Sequence, residues 1–147
     1  MTAGAKLRVD FDPAVWKPLA PLLNPEPVPD AFQSMTWELE AMKGIQITVA
    51  SHPEQVTEEE NKRLILETQK FRGDPAELVR EFQQSIVNRI WMVLEFRNAR
   101  TRPSLTETHY FLPAGKGHVT FLVIGDEKEL PGHRVIIEAF LRNVHIE

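Results

Sequence analysis

The chain has 147 residues, a formal net charge of −4 and a pI near 5.8, and it is 42% hydrophobic and 26% charged. These values are ordinary for a soluble protein, so we expect a single domain over residues 1–147 whose core needs no metal or disulfide. Without a basic face, nucleic-acid binding is not expected. The absence of cysteine excludes disulfides, thiol nucleophiles and cysteine zinc sites.

The sequence also shows neither a membrane-spanning segment nor the pattern of a signal peptide. No apolar run approaches the roughly 20 residues that cross a bilayer. Met1–Asp10 carries charges where a signal peptide would have its apolar segment. We therefore expect a cytosolic protein that is not attached to a membrane.

The first fifty residues predict short strands around a proline-rich segment. Lys6–Phe11 alternates polar and apolar residues, which is the period of a half-buried strand. Five prolines stand between Pro18 and Pro29 and favour an irregular surface segment. Ser34–Ser51 is typical of a β-hairpin, because apolar residues alternate on both arms and Lys43-Gly44 lies in the bend.

The middle of the chain predicts two helices. Thr57 with Glu60 three residues later forms a capping box that opens the first helix, and Gly73 is a natural stop. Asp74-Pro75 can open a second helix by the same logic. Its buried stripe would consist of Leu78, Val79, Phe82 and Ile86.

The last sixty residues predict a sheet followed by a helix. Asn88–Ala99 is apolar on both faces over its first half, which favours a central strand. Ser104–Leu112 and His118–Gly125 alternate as strands, Pro131 can open a final helix, and Asn143–Glu147 reads as a short edge strand. The predicted fold class is α+β, a twisted antiparallel β-sheet with helices packed on one face.

The stretch HYFLPAGKGHVTF, from His109 to Phe121, is the most suggestive short segment. A phosphate-binding loop of the Walker type requires G-x-x-x-x-G-K-[ST] before a helix, whereas Gly115-Lys116-Gly117 is followed by histidine and a strand. We therefore interpret it as the bend of a hairpin.

His109 and His118 flank that bend and raise the question of a metal site. A loop of two or four residues would place both on one face, a diagonal step of about 7–8 Å apart and within reach of a shared zinc. A loop of odd length would send them to opposite faces. Ordinary surface histidines are the simpler interpretation, and we expect no metal and no cofactor.

Other candidate residues favour binding over catalysis. Arg97, Arg100 and Arg102 stand at the end of a strand and in the following loop, where they could clasp a carboxylate or phosphate, although a solvated strand end is the simpler interpretation. Trp37 could line a cleft, with core packing as the alternative. No serine stands in a G-x-S-x-G elbow and no histidine pair has H-E-x-x-H spacing. The candidate binding residues are Trp37, Arg97, Arg100, Arg102, His109 and His118.

The order of elements resembles the PsbP-like fold, which is shared by photosystem II extrinsic proteins, a Ran-GTPase-binding nuclear import factor and bacterial DcrB-like domains. The stretches that carry the resemblance are VDFDPAVWKPL, WELEAMKGIQITVAS, NRIWMVLEF, ETHYFLPAGKGHVTFLVIG and PGHRVIIEAFLRNVHIE. The likeness is one of element order and apolar pattern over nearly the whole chain. The proline-rich insert and two middle helices depart from the family's usual single helical segment.

The resemblance implies a binding or adaptor module without catalysis. We expect a non-enzymatic, protein-binding adaptor or chaperone-like domain whose partner is another protein, docked on the uncovered sheet face or on the Arg97–Arg102 loop. The alternative is a small-molecule-binding or hydrolytic domain with a pocket between sheet and helices near Trp37, His109 and His118. A homodimer through an edge strand near Ser104–Leu112 is a further hypothesis.

Overall fold

The computed structural model describes residues 5–19, 33–71, 76–98 and 103–147. In these residues the elements follow one another as β1 (Leu7–Val9), β2 (Trp16–Leu19), β3 (Ser34–Leu39), β4 (Gln46–His52), α1 (Glu58–Lys70), β5 (Glu77–Ile86), β6 (Arg89–Asn98), β7 (Leu105–Ala114), β8 (Gly117–Asp126), α2 (Arg134–Arg142) and β9 (Val144–Ile146), with a 3₁₀ turn at Leu130–His133 before α2. The proline-rich segment lies largely outside the described residues; Pro18 is part of β2.

The strands form one large sheet and one small ribbon. The large sheet has seven strands in the order β2-β3-β4-β8-β7-β6-β5, and each neighbouring pair is antiparallel. The first and last strands, β1 and β9, pair antiparallel as a separate ribbon. Four consecutive strands, β5 to β8, run as a meander, and β4 joins it through β8.

The two faces of the sheet pack against different helices. On β6, Trp91 and Val93 point to one face, here called face A, and Leu94 and Phe96 point to the other, face B. Face A carries α2, since the ring of Phe140 lies 5.2 Å from that of Trp37 and 5.0 Å from that of Trp16. Face B carries α1, whose Ile65 and Leu66 pack against Leu94 and Phe96.

These observations confirm an α+β fold built on an antiparallel sheet, and they correct where the helices lie. The helices were expected on one face, but one lies on each. The physical reason is that β6 buries apolar side chains on both faces, so each face needs its own cover.

The first predicted helix is present, and the second is a strand. Thr57 Oγ1 accepts a hydrogen bond from the Glu60 backbone N–H at 3.1 Å, as the capping box predicts. The stripe assigned to a second helix instead belongs to β5. Phe82 and Ile86 are spaced by four, which fits the period of a helix and the period of two of a strand equally well, whereas the bulge after Leu78 places that residue on face B with Leu94 and Phe96. Pairing with β6 decides between them.

Neither helix in the described parts of the chain has the length and apolar character needed to cross a membrane.

The turn between β5 and β6 carries backbone strain. Its two central residues, Val87 and Asn88, have φ of 48° and 63°, the positive values that a type I′ hairpin turn requires. Asparagine tolerates this conformation, whereas a β-branched valine does not. The Val87 side chain is 60% exposed, so burial does not offset the strain.

We predict that Val87→Asn stabilises the protein by about 1 kcal/mol, because asparagine adopts positive φ at lower cost. Denaturant unfolding of the variant and the parent measures this difference. Val79→Asn, an exposed valine of β5 with ordinary φ, is the matched control and should give no gain. Equal unfolding free energies for Val87→Asn and the parent would show that the turn is not strained.

Candidate functional site

The segment His109–Phe121 forms a tight hairpin, as its sequence indicated. Ala114 pairs with Gly117, so the loop consists of Gly115 and Lys116 alone. Gly115 has φ of 61°, which suits glycine at this turn. A strand follows where a phosphate loop would need a helix, and the segment acts as a bend between β7 and β8.

The two-residue loop places His109 and His118 on the same face of the sheet, face B, but not as diagonal neighbours. His118 lies opposite Pro113, whereas His109 lies opposite Leu122, four residues further along β8. Four residues of strand span about 13 Å, too far for one zinc ion bound by both rings. Over the described ranges, no group of three or more His, Asp or Glu side chains is arranged to hold a metal ion.

Trp37 does not line a cleft. It lies on face A with 0% exposure and packs against Phe140 and Phe11, whose ring centroid is 5.7 Å away. The tryptophan belongs to the core, which was the alternative to a binding role.

Of the three arginines, only Arg97 can be placed, because Arg100 and Arg102 lie outside the described residues. Arg97 is near the end of β6, and its Nε lies 2.8 Å from Glu127 Oε2. Both side chains line a groove on face A, which gives Arg97 a setting that the sequence could not show.

The face A groove is an open trough of about 680 Å³ between β5, β6 and β7 on one side and the start of α2 on the other. Three hydroxyl residues of β7, spaced by two, lie along it: Thr106, Thr108 and Tyr110. Phe82 of β5 and Ile137 of α2 add apolar surface. The groove therefore combines an aromatic and aliphatic centre with a row of hydrogen-bonding groups.

Charged side chains of both signs line the groove. Arg80 Nη2 lies 3.4 Å from Glu95 Oε1. The Arg80 Cζ atom lies 4.4 Å from the centre of the Phe82 ring. Arg134 and Glu138 face the same trough from α2. These pairs are exposed, so each contributes little to stability.

Tyr110 contributes a hydroxyl that remains protonated. Burial, and secondarily the nearby carboxylates of Glu138 and Glu95, raise the pKa of Tyr110 to about 12, while Arg134 and Arg80 oppose the shift. A phenol with this pKa donates a hydrogen bond at any physiological pH. The Tyr110 hydroxyl is therefore a neutral hydrogen-bonding group in the groove.

A second cavity, of about 350 Å³, lies on face B under the first turns of α1. His52 and His118 are paired across β4 and β8, and their rings stack at 4.3 Å with an interplanar angle of 7°. His118 Nδ1 donates to the Glu54 carbonyl at 2.7 Å, since a carbonyl can only accept. His109 also lines this cavity. His52 was missed from the sequence because no local spacing reveals which strands pair.

The chemistry of this cavity does not extend to a catalytic triad. His52 Nε2 lies 2.9 Å from Thr120 Oγ1, the distance of a hydroxyl and its base. Burial, and secondarily His118, lower the pKa of His52 below its ordinary value of 6.5, while Glu54 opposes the shift. Among the described residues, no carboxylate hydrogen-bonds to His52 to orient it, so the arrangement lacks the third member.

Comparison with known proteins identifies the fold and no function. No family model matches the chain, and no curated protein matches it. Among solved structures, it is similar to the solution structure of cyanobacterial PsbP (CyanoP) from Synechocystis sp. PCC 6803, with a TM-score of 0.61 and 13% sequence identity. The match covers 100% of this chain and 95% of that chain. The PsbP-like fold expected from the element order is therefore confirmed.

We predict that the free energy of unfolding decreases as the pH falls from about 7.5 to about 5.5, partly through His52. Its pKa is lower in the folded protein than in the unfolded chain, so below pH 6.5 the unfolded chain binds more protons and is favoured. Denaturant unfolding at several pH values measures the slope. His52→Gln should flatten it, whereas His133→Gln, at the start of α2, should not. An unchanged slope in His52→Gln would contradict the role assigned to this ring.

Proposed function

We propose that this protein is a non-enzymatic, cytosolic protein-binding domain, an adaptor or chaperone-like module that docks another protein in the face A groove. The observation that carries the proposal is the groove itself. It lies on the part of the sheet that α2 leaves uncovered, and Arg97, a binding residue expected from the sequence, lines it.

The composition of the groove favours a protein partner. Protein interfaces have an apolar or aromatic centre, a polar rim, and an enrichment in tyrosine, phenylalanine and arginine. Phe82 and Tyr110 supply the centre, and Arg80 with Glu95 and Arg97 with Glu127 supply a rim of both signs. A partner with alternating charges could replace these intramolecular pairs one for one.

The side chains of the face A groove and of the face B cavity support a role without catalysis. The face A groove offers hydroxyls and charges but no histidine, and the face B cavity brings His52 to Thr120 without an orienting carboxylate among the described residues. Neither arrangement assembles a nucleophile, a base and an orienting group.

We predict that Thr108→Arg lowers the capture of the native partner by about tenfold, because a long cation fills the centre of the groove and breaks its complementarity. Pull-downs from native lysate with quantitative mass spectrometry compare this variant, Arg97→Glu and the parent. Lys70→Glu, an exposed change at the end of α1, is the control and should capture the same proteins as the parent. A partner captured equally by all four proteins would contradict docking in the groove.

A second candidate function is the binding of a small molecule in the face B cavity. The observation in its favour is that His52, His109 and His118 line one concave space beside Thr120 and the aliphatic Ile65. A few polar groups within an apolar wall are typical of ligand sites.

If this second function holds, compounds from a fragment screen should shift the NMR signals of the three imidazole rings together. Ile65→Trp should abolish the shifts by filling the cavity, whereas Val135→Trp, exposed on α2, should leave them. A screen in which no compound moves those signals would remove the second candidate.

A further inference from the structure

The outer edge of β5 is the feature that neither the groove nor the cavity explains. β5 is ten residues long and ends the seven-stranded sheet, with β6 on its inner side. Across the described ranges, no strand pairs with its outer side. A strand edge of this length presents a row of unpaired backbone donors and acceptors, and natural proteins rarely leave such an edge without a partner or a protective device.

The hairpin turn determines which backbone groups face outward. Val87 and Asn88 form the two-residue turn, so Ile86 and Arg89 are the hydrogen-bonded pair that closes it. Hydrogen bonding to β6 then recurs at every second residue of β5. The intervening residues, Glu81, Gln83 and Ser85, direct their backbone N–H and C=O groups away from β6.

The protective devices on this edge, a bulge followed by the charges of Arg80 and Glu81, cover only its first half. A bulge interrupts the register between Leu78 and Arg80. Bulges twist an edge away from a would-be partner. From Arg80 to Ile86 the pairing with β6 is regular, and the residues whose backbone groups point outward carry exposed side chains.

We propose that two copies of this chain pair through β5, antiparallel, with Phe82 opposite Phe82 of the second copy. In this register Glu81 lies opposite Gln83 of the other copy. The backbone N–H of each residue donates a hydrogen bond to the backbone C=O of the other. Phe82 then occupies the non-hydrogen-bonded position, where side chains are closest and aromatic pairs stabilise a sheet.

The charges of β5 favour this register. A two-fold axis at Arg80 would place two arginines opposite each other, and an axis at Glu81 would place two glutamates there, both of which are destabilising. With the axis at Phe82, Arg80 faces Gln84 and Glu81 faces Gln83, so no like charges are opposed. A shift to an axis at Gln83 also avoids like charges but loses the aromatic pair.

The dimer would join the two face A grooves. A two-fold axis perpendicular to the sheet keeps face A of both copies on the same side, and Arg80, Phe82 and Gln84 line the groove from β5 in each copy. The pairing therefore produces one continuous trough twice as long. This last consequence rests on the proposed function, whereas the dimer does not.

Two measurements test the pairing. Light scattering coupled to size exclusion should give twice the 16.9 kDa of one chain for the unaltered protein. Because the chain has no cysteine, a single introduced cysteine can form a disulfide only with the same cysteine of a second copy. Phe82→Cys should form a disulfide-linked dimer under mild oxidation, since opposed residues at such a position lie about 4.5 Å apart at Cα, within disulfide range.

Matched variants distinguish this register from others. Arg80→Cys and Gln84→Cys should each cross-link slowly alone and rapidly when mixed, and Ile90→Cys, at the exposed end of β6, should not cross-link. A mass of 16.9 kDa for the unaltered protein, or fastest cross-linking by Arg80→Cys alone, would overturn the proposal. Thr108→Arg, which lies away from the edge, should keep the dimer mass, so failure of groove docking and failure of pairing give different results.

Discussion

The structure depends on the fact that its central strands bury apolar side chains on both faces. β6 places Trp91 and Val93 against face A and Leu94 and Phe96 against face B, all of them buried. A sheet of this kind cannot leave either face to solvent. The chain meets this constraint with one helix on each face, α1 joined to the sheet by Ile65 and Leu66, and α2 by Phe140.

The limited length of α2 then determines where surface remains for binding. A nine-residue helix is about 14 Å long, whereas seven strands span about 29 Å across the sheet. Phe140 ties α2 to the tryptophans of β2 and β3, which leaves part of β5, β6 and β7 open on face A. On that open part the strands carry threonines, arginines and glutamates where the covered part carries valine and isoleucine. The groove is thus the polar remainder of a face that one helix cannot cover.

Sequence patterns predicted the elements that depend on local chemistry. The Thr57 capping box, the Gly115-Lys116 bend and the alternation of β7 and β8 are encoded by neighbouring residues, and the structure has each of them. The errors occur where distant residues decide. Phe82 and Ile86 fit a helix or a strand, and only pairing with β6 selects the strand; the bulge places Leu78, assigned to the same stripe, on the opposite face. The edge expected near Ser104–Leu112 is β7, which lies inside the sheet, because β5 takes the outer position.

For the site residues, too, local features were predicted and features that depend on strand pairing were not. His109 and His118 were expected on one face for a two-residue loop, and they are, but their separation depends on the register of β7 with β8. His52 lies beside His118 only because β4 pairs with β8, and no sequence motif predicts that pairing. Trp37 was ambiguous because a strand tryptophan can pack or bind, and the position of α2 assigns it to the core.

The central claim is that α2 covers only part of face A, and thiol labelling of single-cysteine variants tests it most directly, since the chain has no cysteine. Thr108→Cys, half-buried in the open part, should react with a maleimide in the folded protein, although more slowly than in the unfolded chain. Val119→Cys, on the same face but with 0% exposure at that position, should react only after unfolding. Equal protection of the two thiols would show that face A is covered throughout and that the groove does not exist in solution.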